Sequence, residues 1–415
     1  MHTTRLLAAV RFISIMRLTG GRRLCVWSVF VLTLSALVGS LLKCDHVRAE
    51  ESPADTITVF ELSEDPQQPF GYRIPSLVVT QAGTLLAFCE RRDGLHDHAE
   101  NDIVLRRSSD GGTTWEPMQI IAEEAGDSLN DPCAVVLKTG RILLRYTRFP
   151  KGIHARKTPH TEIAEPGYDG PRNVRVFLMH SDDDGRNWSA PRDVTREMRR
   201  REAISLGSPG VGLQLTRGEH AGRIVLPNYE VYHIGNNERA NDNSVSYSDD
   251  GGETWSLTPP IEDDGPVASG DEAQLAELPD GGLIMTSRIF PEINGRLVSF
   301  SHDGGERWTK HRKATGLLTP ACMSSILRYS WPGDESGSIL LHTLPRTQDS
   351  RSNGTLMISR DEGESWQSVK VIVPGDFAYS CLARLPNGDI GCLYETDDYH
   401  KISFQRLNPE LFLQE

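Results

Sequence analysis

Carboxylates in this chain recur in a fixed setting. The string Ser-x-Asp-x-Gly-x-x-Trp begins at Ser108, Ser181, Ser248, Ser301 and Ser359, so Asp110, Asp183, Asp250, Asp303 and Asp361 each stand five residues before a tryptophan. Aspartates among glycines can ligate calcium or transfer protons. Repetition argues for another job, because one active site has no use for five copies of a single acid. Ser and Asp side chains bond to backbone groups a few residues on. Gly supplies positive φ, and Trp packs an apolar body between sheets. The string reads as a structural turn. His96 and His98 could form a metal pair, but they lack further ligands at suitable spacing. Cys89, Cys133, Cys322, Cys381 and Cys392 have no close CxxC spacing and sit mostly in apolar runs, which suits buried small hydrophobes. No metal and no cofactor is expected.

The elements around these strings set the architecture. A strand-like run precedes each one: Ile103-Val104-Leu105, Val174 to Leu178, Ser244 to Tyr247, Leu297 to Phe300 and Thr355 to Ile358. Each string is therefore a hairpin turn leaving a strand. Successive strings start 73, 67, 53 and 58 residues apart, room for about four short strands, as in a propeller blade. An all-β, six-bladed β-propeller follows, as one domain over residues 50–415. The sixth blade lacks the string. Its strands are expected at 378–385, 389–394 and 401–406, with the run Ile57 to Leu62 closing the ring from the other terminus.

Charge and the N-terminus narrow the function. The chain has 415 residues and a formal charge of -13, which argues against binding nucleic acid through phosphates. Arg5, Arg11, Arg17, Arg22 and Arg23 precede an apolar stretch at 25–42, and Val47-Arg48-Ala49 ends it. That is the layout of a signal peptide cleaved after Ala49, or of a retained N-terminal membrane anchor. The protein is expected to be exported, periplasmic or secreted, and to touch a membrane only if this segment is kept.

The repeated string is the Asp box. Together with Tyr72-Arg73-Ile74-Pro75, it makes the chain from about Thr56 to Arg406 resemble the exo-α-sialidases of glycoside hydrolase family 33. The resemblance implies a sialidase-type propeller acting on terminal sialic acids of glycoconjugates, and it implies site residues. Tyr379 matches the nucleophile and Glu272 its base, with Asp271 a close rival. Sialidases are the known tyrosine exception among two-carboxylate glycosidases. A neutral phenol avoids the repulsion an acidic nucleophile would meet from the substrate carboxylate. Arg73, Arg288 and Arg351 match the receptor for that carboxylate, where the guanidinium fork suits two oxygens; Arg346 competes with Arg351. Glu395 matches the acid that orients Arg73. In the run from Glu90 to Asp102, Arg92 matches the contact to the C4 region and Asp97 the acid/base, with Asp93 and Asp102 as alternatives. Asp131 resembles a residue on the amide or C4 side of the sugar, and Tyr229 an aromatic facing the glycerol tail.

The chain departs from the family in places. Tyr72 replaces the usual Phe on a packing face, and 201–210 lacks a Trp-Tyr pair that would shape the glycerol side. The charged loop at 151–172, with His154, Lys157 and His160, either rims the cleft or is a solvated insertion, the simpler reading. The working form is expected to be a monomer. Two other functions fit the same strings: a non-catalytic propeller that binds glycan or protein, and a hydrolase for another nonulosonic acid.

Overall fold

The computed structural model describes residues 56–63, 70–235, 238–263, 269–291 and 293–413, all within the unit Glu51–Glu415. The expected export segment at 1–49, and a cleavage point before Glu50, lie outside the described residues. Among the described residues, regular structure is strand apart from two four-residue helices, Thr195–Met198 and Glu410–Leu413. Three of the sheets are four-stranded and antiparallel, such as the meander Ser269–Glu277, Leu283–Phe290, Arg296–Ser301 and Arg312–Lys313 in order. The leading strands Phe70–Val79, Ser128–Val136, Gly210–Val211, Ser269–Glu277, Ser325–Ser330 and Ser380–Arg384 pack in succession, and the last returns to the first. This is a β-propeller.

The sheet count differs from the expected six. Five sheets of four or more strands are present, because Asn101 pairs in parallel with Ser128. That pair merges two four-stranded meanders, with Gly210–Val211 added, into one sheet of nine strands. Closure follows the sequence reading: Ile57–Glu61 pairs antiparallel with Lys401–Leu407, on the sheet that holds Ser380–Arg384 and Ile390–Thr396.

Apolar runs form the strands because most have a sheet on both sides. Leu77, Leu85, Ala87 and Cys89 meet Cys381, Leu393 and Phe404 in one such layer. Fully burying a Leu or Phe contributes about 1.5–3 kcal/mol, so these layers are the main source of stability. The five cysteines among the described residues are buried and free.

The five boxes share one geometry. Each serine hydroxyl donates to its aspartate at 2.7–2.9 Å, as Ser108 does to Asp110 and Ser248 to Asp250. The same hydroxyl accepts the amide four residues on, at 2.8–3.0 Å. The aspartate accepts its own i+4 amide, at 2.8–3.0 Å. Trp255 and Trp308 donate their indole N–H to the carbonyls of Gly252 and Gly305. The aspartates are fully used in closing turns, as their repetition implied.

Register separates these turns from the other end of each sheet. Arg92 pairs with Gly71 and Asn101, whereas Leu85 pairs with Val79 and Ser108. Likewise Arg288 lies opposite Arg296, and Leu283 opposite Ser301. Boxes occupy one end of the strands and the candidate site residues the other.

Two outcomes follow. Ser248→Ala leaves the buried Gly252 amide without its acceptor and should cost about 1–3 kcal/mol in urea unfolding. Hydrogen bonds from Thr114, Asn187 and Thr254 lower Asp110, Asp183 and Asp250 from 3.8 to about 2. A depressed folded value means the contribution is full above pH 4 and is lost as pH falls through 2. Thermal midpoints between pH 5 and 2 should therefore decline, and Asp250→Asn should flatten that decline.

Candidate active site

Bulges aim the site residues. The pairing of Phe70–Val79 with Leu85–Asp93 shifts between Arg73 and Ser76. Equivalent breaks fall between Asn130 and Cys133, and between Gly270 and Ala273. Each break frees one or two side chains at the start of a leading strand: Ile74, Asp131, Asp271 and Glu272. A bulge re-aims a side chain at the cost of ladder bonds. Ile74 and Asp131 take φ of 66° and 58°, a region unfavourable for β-branched and most other L-residues. Buried arginines hold neighbouring backbone open. Arg145 donates to the carbonyls of Pro227 and Ser208, and Arg296 to those of Cys322 and Thr286.

Tyr379 sits at the focus. Its hydroxyl donates to Glu272 Oε1 at 2.5 Å, and Arg288 Nη1 lies 3.1 Å from both the phenolic oxygen and Glu272 Oε2. The guanidinium carbons of Arg73 and Arg351 stand 5.6 and 5.2 Å from the centre of its ring. Burial and the Glu272 charge hold the phenol well above its ordinary value, against Arg288 and Arg351. At rest the nucleophile candidate is therefore protonated, and the nearest acceptor is Glu272.

Each arginine is fixed separately. Arg73 makes a paired bond to Glu395, 2.7 and 3.2 Å, and Glu395 also accepts the amides of Ile74 and Tyr379. Arg351 donates to the Ala321 carbonyl at 2.8 Å. The tip of Tyr399 is 3.5 Å from Arg351, and its ring lies 4.2 Å under Arg73. Asp397, Asp398 and Tyr399 form a run of three positive φ values, 55°, 49° and 65°. Sustaining that costs roughly 1 kcal/mol or more per residue, an expense consistent with the placing of Tyr399.

On the opposite side, Arg92 is 1% exposed and donates to Glu90 and, at 2.8 Å, to Asp97. Glu90 is fully buried and also accepts the Asp131 amide. The Asp97 carboxylate is 58% exposed on its side chain. Burial of its surroundings pushes it up, but the charge and hydrogen bond of Arg92, with Arg73 and His154, hold it well below the usual carboxylate range. Asp131 accepts from Tyr229 Oη at 3.2 Å, and burial beside Glu90 and Glu272 pushes Asp131 up. A side chain on Gly207 would strike both Asp131 and Tyr229.

A cavity of about 90 Å³ opens among Tyr379, Glu272, Arg288, Arg92, Asp97 and Tyr229. All ten sequence-derived candidates thus lie in or directly behind one cleft. Of the rivals, Asp102 is held by Arg91 at 2.5 Å, and Asp93 and Arg346 are exposed. Asp271 lines the cavity beside Glu272 and accepts the Glu272 amide. The solvated-insertion reading of 151–172 does not hold at its start, where His154, Ala155 and Arg156 line the cavity. Tyr399, Glu90 and Arg239 escaped the sequence reading. Only Glu90 had a local signal, two residues before Arg92.

Comparisons with known proteins bear on this arrangement. The family described as BNR repeat-like domain matches residues 77–392. A sialidase of Micromonospora viridifaciens is 33% identical over 78% of this chain and 50% of its own length. A sialidase of Paraclostridium sordellii is 32% identical over 72% of each chain. Among solved structures, the Hadza microbial sialidase Hz136 is 28% identical, with a TM-score of 0.69 over 82% of this chain and 66% of that one. An intramolecular trans-sialidase from Ruminococcus gnavus, 22% identical, superposes with a TM-score of 0.70 over 86% and 98%, a likeness of fold. The chain spans about half the length of the Micromonospora relative and 61% of a Bacteroides fragilis sialidase. The matched repeats, the shared fold and these relatives establish that the chain belongs to the sialidase family of BNR-repeat β-propellers.

Proposed function

We propose that the protein is an exo-α-sialidase, releasing terminal sialic acid from glycoconjugates with retention of configuration. The observation that carries this is Tyr379, bonded at 2.5 Å to Glu272 and bordered by Arg73, Arg288 and Arg351. An anionic sugar held by three guanidiniums would present its anomeric carbon to the phenol. Glu272 takes the phenolic proton as the oxygen attacks, while Asp97 protonates the departing glycosidic oxygen. A tyrosyl-sugar bond results. Asp97, now ionised, then takes a proton from water, the water oxygen bonds to the anomeric carbon, and the phenolate recovers its proton from Glu272. The two inversions leave the configuration retained.

The Arg92–Asp97 pair gives the acid step a condition. Asp97 is ionised while Arg92 holds it, and a proton donor must be protonated. A sugar hydroxyl that engages Arg92 weakens the pair and lets Asp97 rise. Counting the nine-stranded sheet as two meanders gives six blades, which we infer to be the architecture of the active unit. Export through the N-terminal segment and a monomeric state belong to the same reading.

Glu272→Gln should lower kcat on a fluorogenic α-sialoside by about 10²–10⁴-fold, and Tyr379→Phe by at least as much, with unchanged unfolding midpoints. A folded wild type that is inert on sialosides would favour a binding propeller instead, and a Tyr379→Phe variant at full rate would rule out the tyrosyl-sugar step. The pH profile tests the acid. Because Asp97 must be protonated to donate, kcat falls as pH rises through its value in the enzyme–substrate complex. Arg92→Lys loosens the fork that depresses Asp97, so this alkaline limb of kcat should move to higher pH, measured from pH 4 to 9.

A further inference from the structure

The cleft holds two guanidiniums beyond those read as meeting the sugar carboxylate and its C4 region. Arg239 and Arg156 both line the cavity, on the wall shared with Tyr229, Asp271 and His154. Arg239 lies on the hairpin of Ile224–Gly235 and Glu238–Ser248, opposite His233 in register. Its guanidinium stacks over Phe290 at 4.7 Å, and its side chain is 16% exposed. Its nearest carboxylate oxygen, on Asp271, is 4.0 Å away. Among the described residues, Arg156 has no ion pair.

Arginines with a structural job in this fold look different. Arg148 meets Asp127 at 2.6 Å, and Arg223 meets Asp249 at 2.8 Å. Asp271 is also a weak counter-ion, since burial and neighbouring Glu272 push it up, against Arg288 and Arg239. Burial and the like charge of Arg156 in turn lower Arg239. Two facing cations in a half-closed cleft repel each other, and an anion between them would relieve the repulsion and gain forked bonds. His154, pushed down to about 4 chiefly by burial, is neutral at pH 7 and can donate one N–H beside them.

We propose that Arg239 and Arg156 form a second oxyanion subsite, which takes a sulfate-ester or carboxylate substituent carried by the bound nonulosonic sugar itself. This rests on the sialidase reading and names its substrate class: sugars with a second negative charge away from C1. Placement on the sugar follows from the cavity, because both arginines line the same cleft as Tyr379 and Glu272.

The test compares kcat/KM for a 4-methylumbelliferyl α-sialoside, the same glycoside sulfated on its glycerol side chain, and a sialyl-galactoside sulfated only on galactose. Wild type should prefer the side-chain sulfate over the plain glycoside by about tenfold or more, the size of one charge-assisted bond. Arg156→Gln/Arg239→Gln should bring that ratio to one or below. No preference in wild type, a preference only for galactose sulfate, or a ratio unchanged in the double variant overturns the proposal. Should every glycoside prove inert, the sialidase reading fails separately, and the subsite is read by thermal shift with inorganic sulfate at 0.1–10 mM, about the weak-affinity range. A shift smaller in the double variant than in wild type supports it; equal shifts overturn it.

Discussion

The site depends on one buried carboxylate. Glu395, wholly inaccessible, takes the Arg73 fork on one side and the amides of Ile74 and Tyr379 on the other. It therefore binds the first leading strand to the closing sheet, across 322 positions of sequence. Removing a partner from such a buried pair costs roughly 3–5 kcal/mol, because the remaining charge has nowhere to go. Here the cost would also reach Ile74, whose left-handed backbone is held by its bond to the same carboxylate. Ring closure by Ile57–Glu61 on Lys401–Leu407 supplies the frame that lets Glu395 reach Arg73.

Much of this was legible because it is local or repeated. The Asp boxes follow from side-chain-to-backbone bonds spanning four residues, and their repetition gives the propeller. Tyr379, Glu272 and the three arginines were found through resemblance to a family, and no short-range rule would have chosen Tyr379 over an ordinary buried aromatic. What stayed hidden is contact between distant chain segments. Tyr399 reaches Arg73 through a three-residue left-handed turn without glycine, so composition gives no sign of it. Arg145 and Arg296 look like solvated arginines in sequence, yet they bond to carbonyls inside the propeller. The sheet count was missed for a similar reason: a single parallel pair, Asn101 with Ser128, carries no sequence pattern.

The distribution of strain and charge explains why both ends of the strands can coexist. At the box end, every turn repeats the same serine and aspartate bonds within itself. At the site end the ladders break, φ turns positive at Ile74 and Asp131, and arginines stand close together. Stability supplied by the repeated end and the apolar layers offsets strain concentrated at the other. A fold built from near-identical units can thus carry one dissimilar focus.

Electrostatics sharpen that asymmetry. The chain carries a net charge of -13, yet the cleft gathers Arg73, Arg288 and Arg351 around one phenol. In a low-dielectric depression the nearby charges set the potential, and the distant acidic shell is screened beyond about 8 Å at physiological salt. The same cations would stabilise a phenolate, against the burial and the Glu272 charge that hold the resting proton on Tyr379. An anion bound in the cleft would add negative charge, so its binding and the ionisation of Tyr379 would draw on one pool of guanidiniums. Arg288, within 3.1 Å of both the phenol and Glu272, is the member placed to divide its bonds between them.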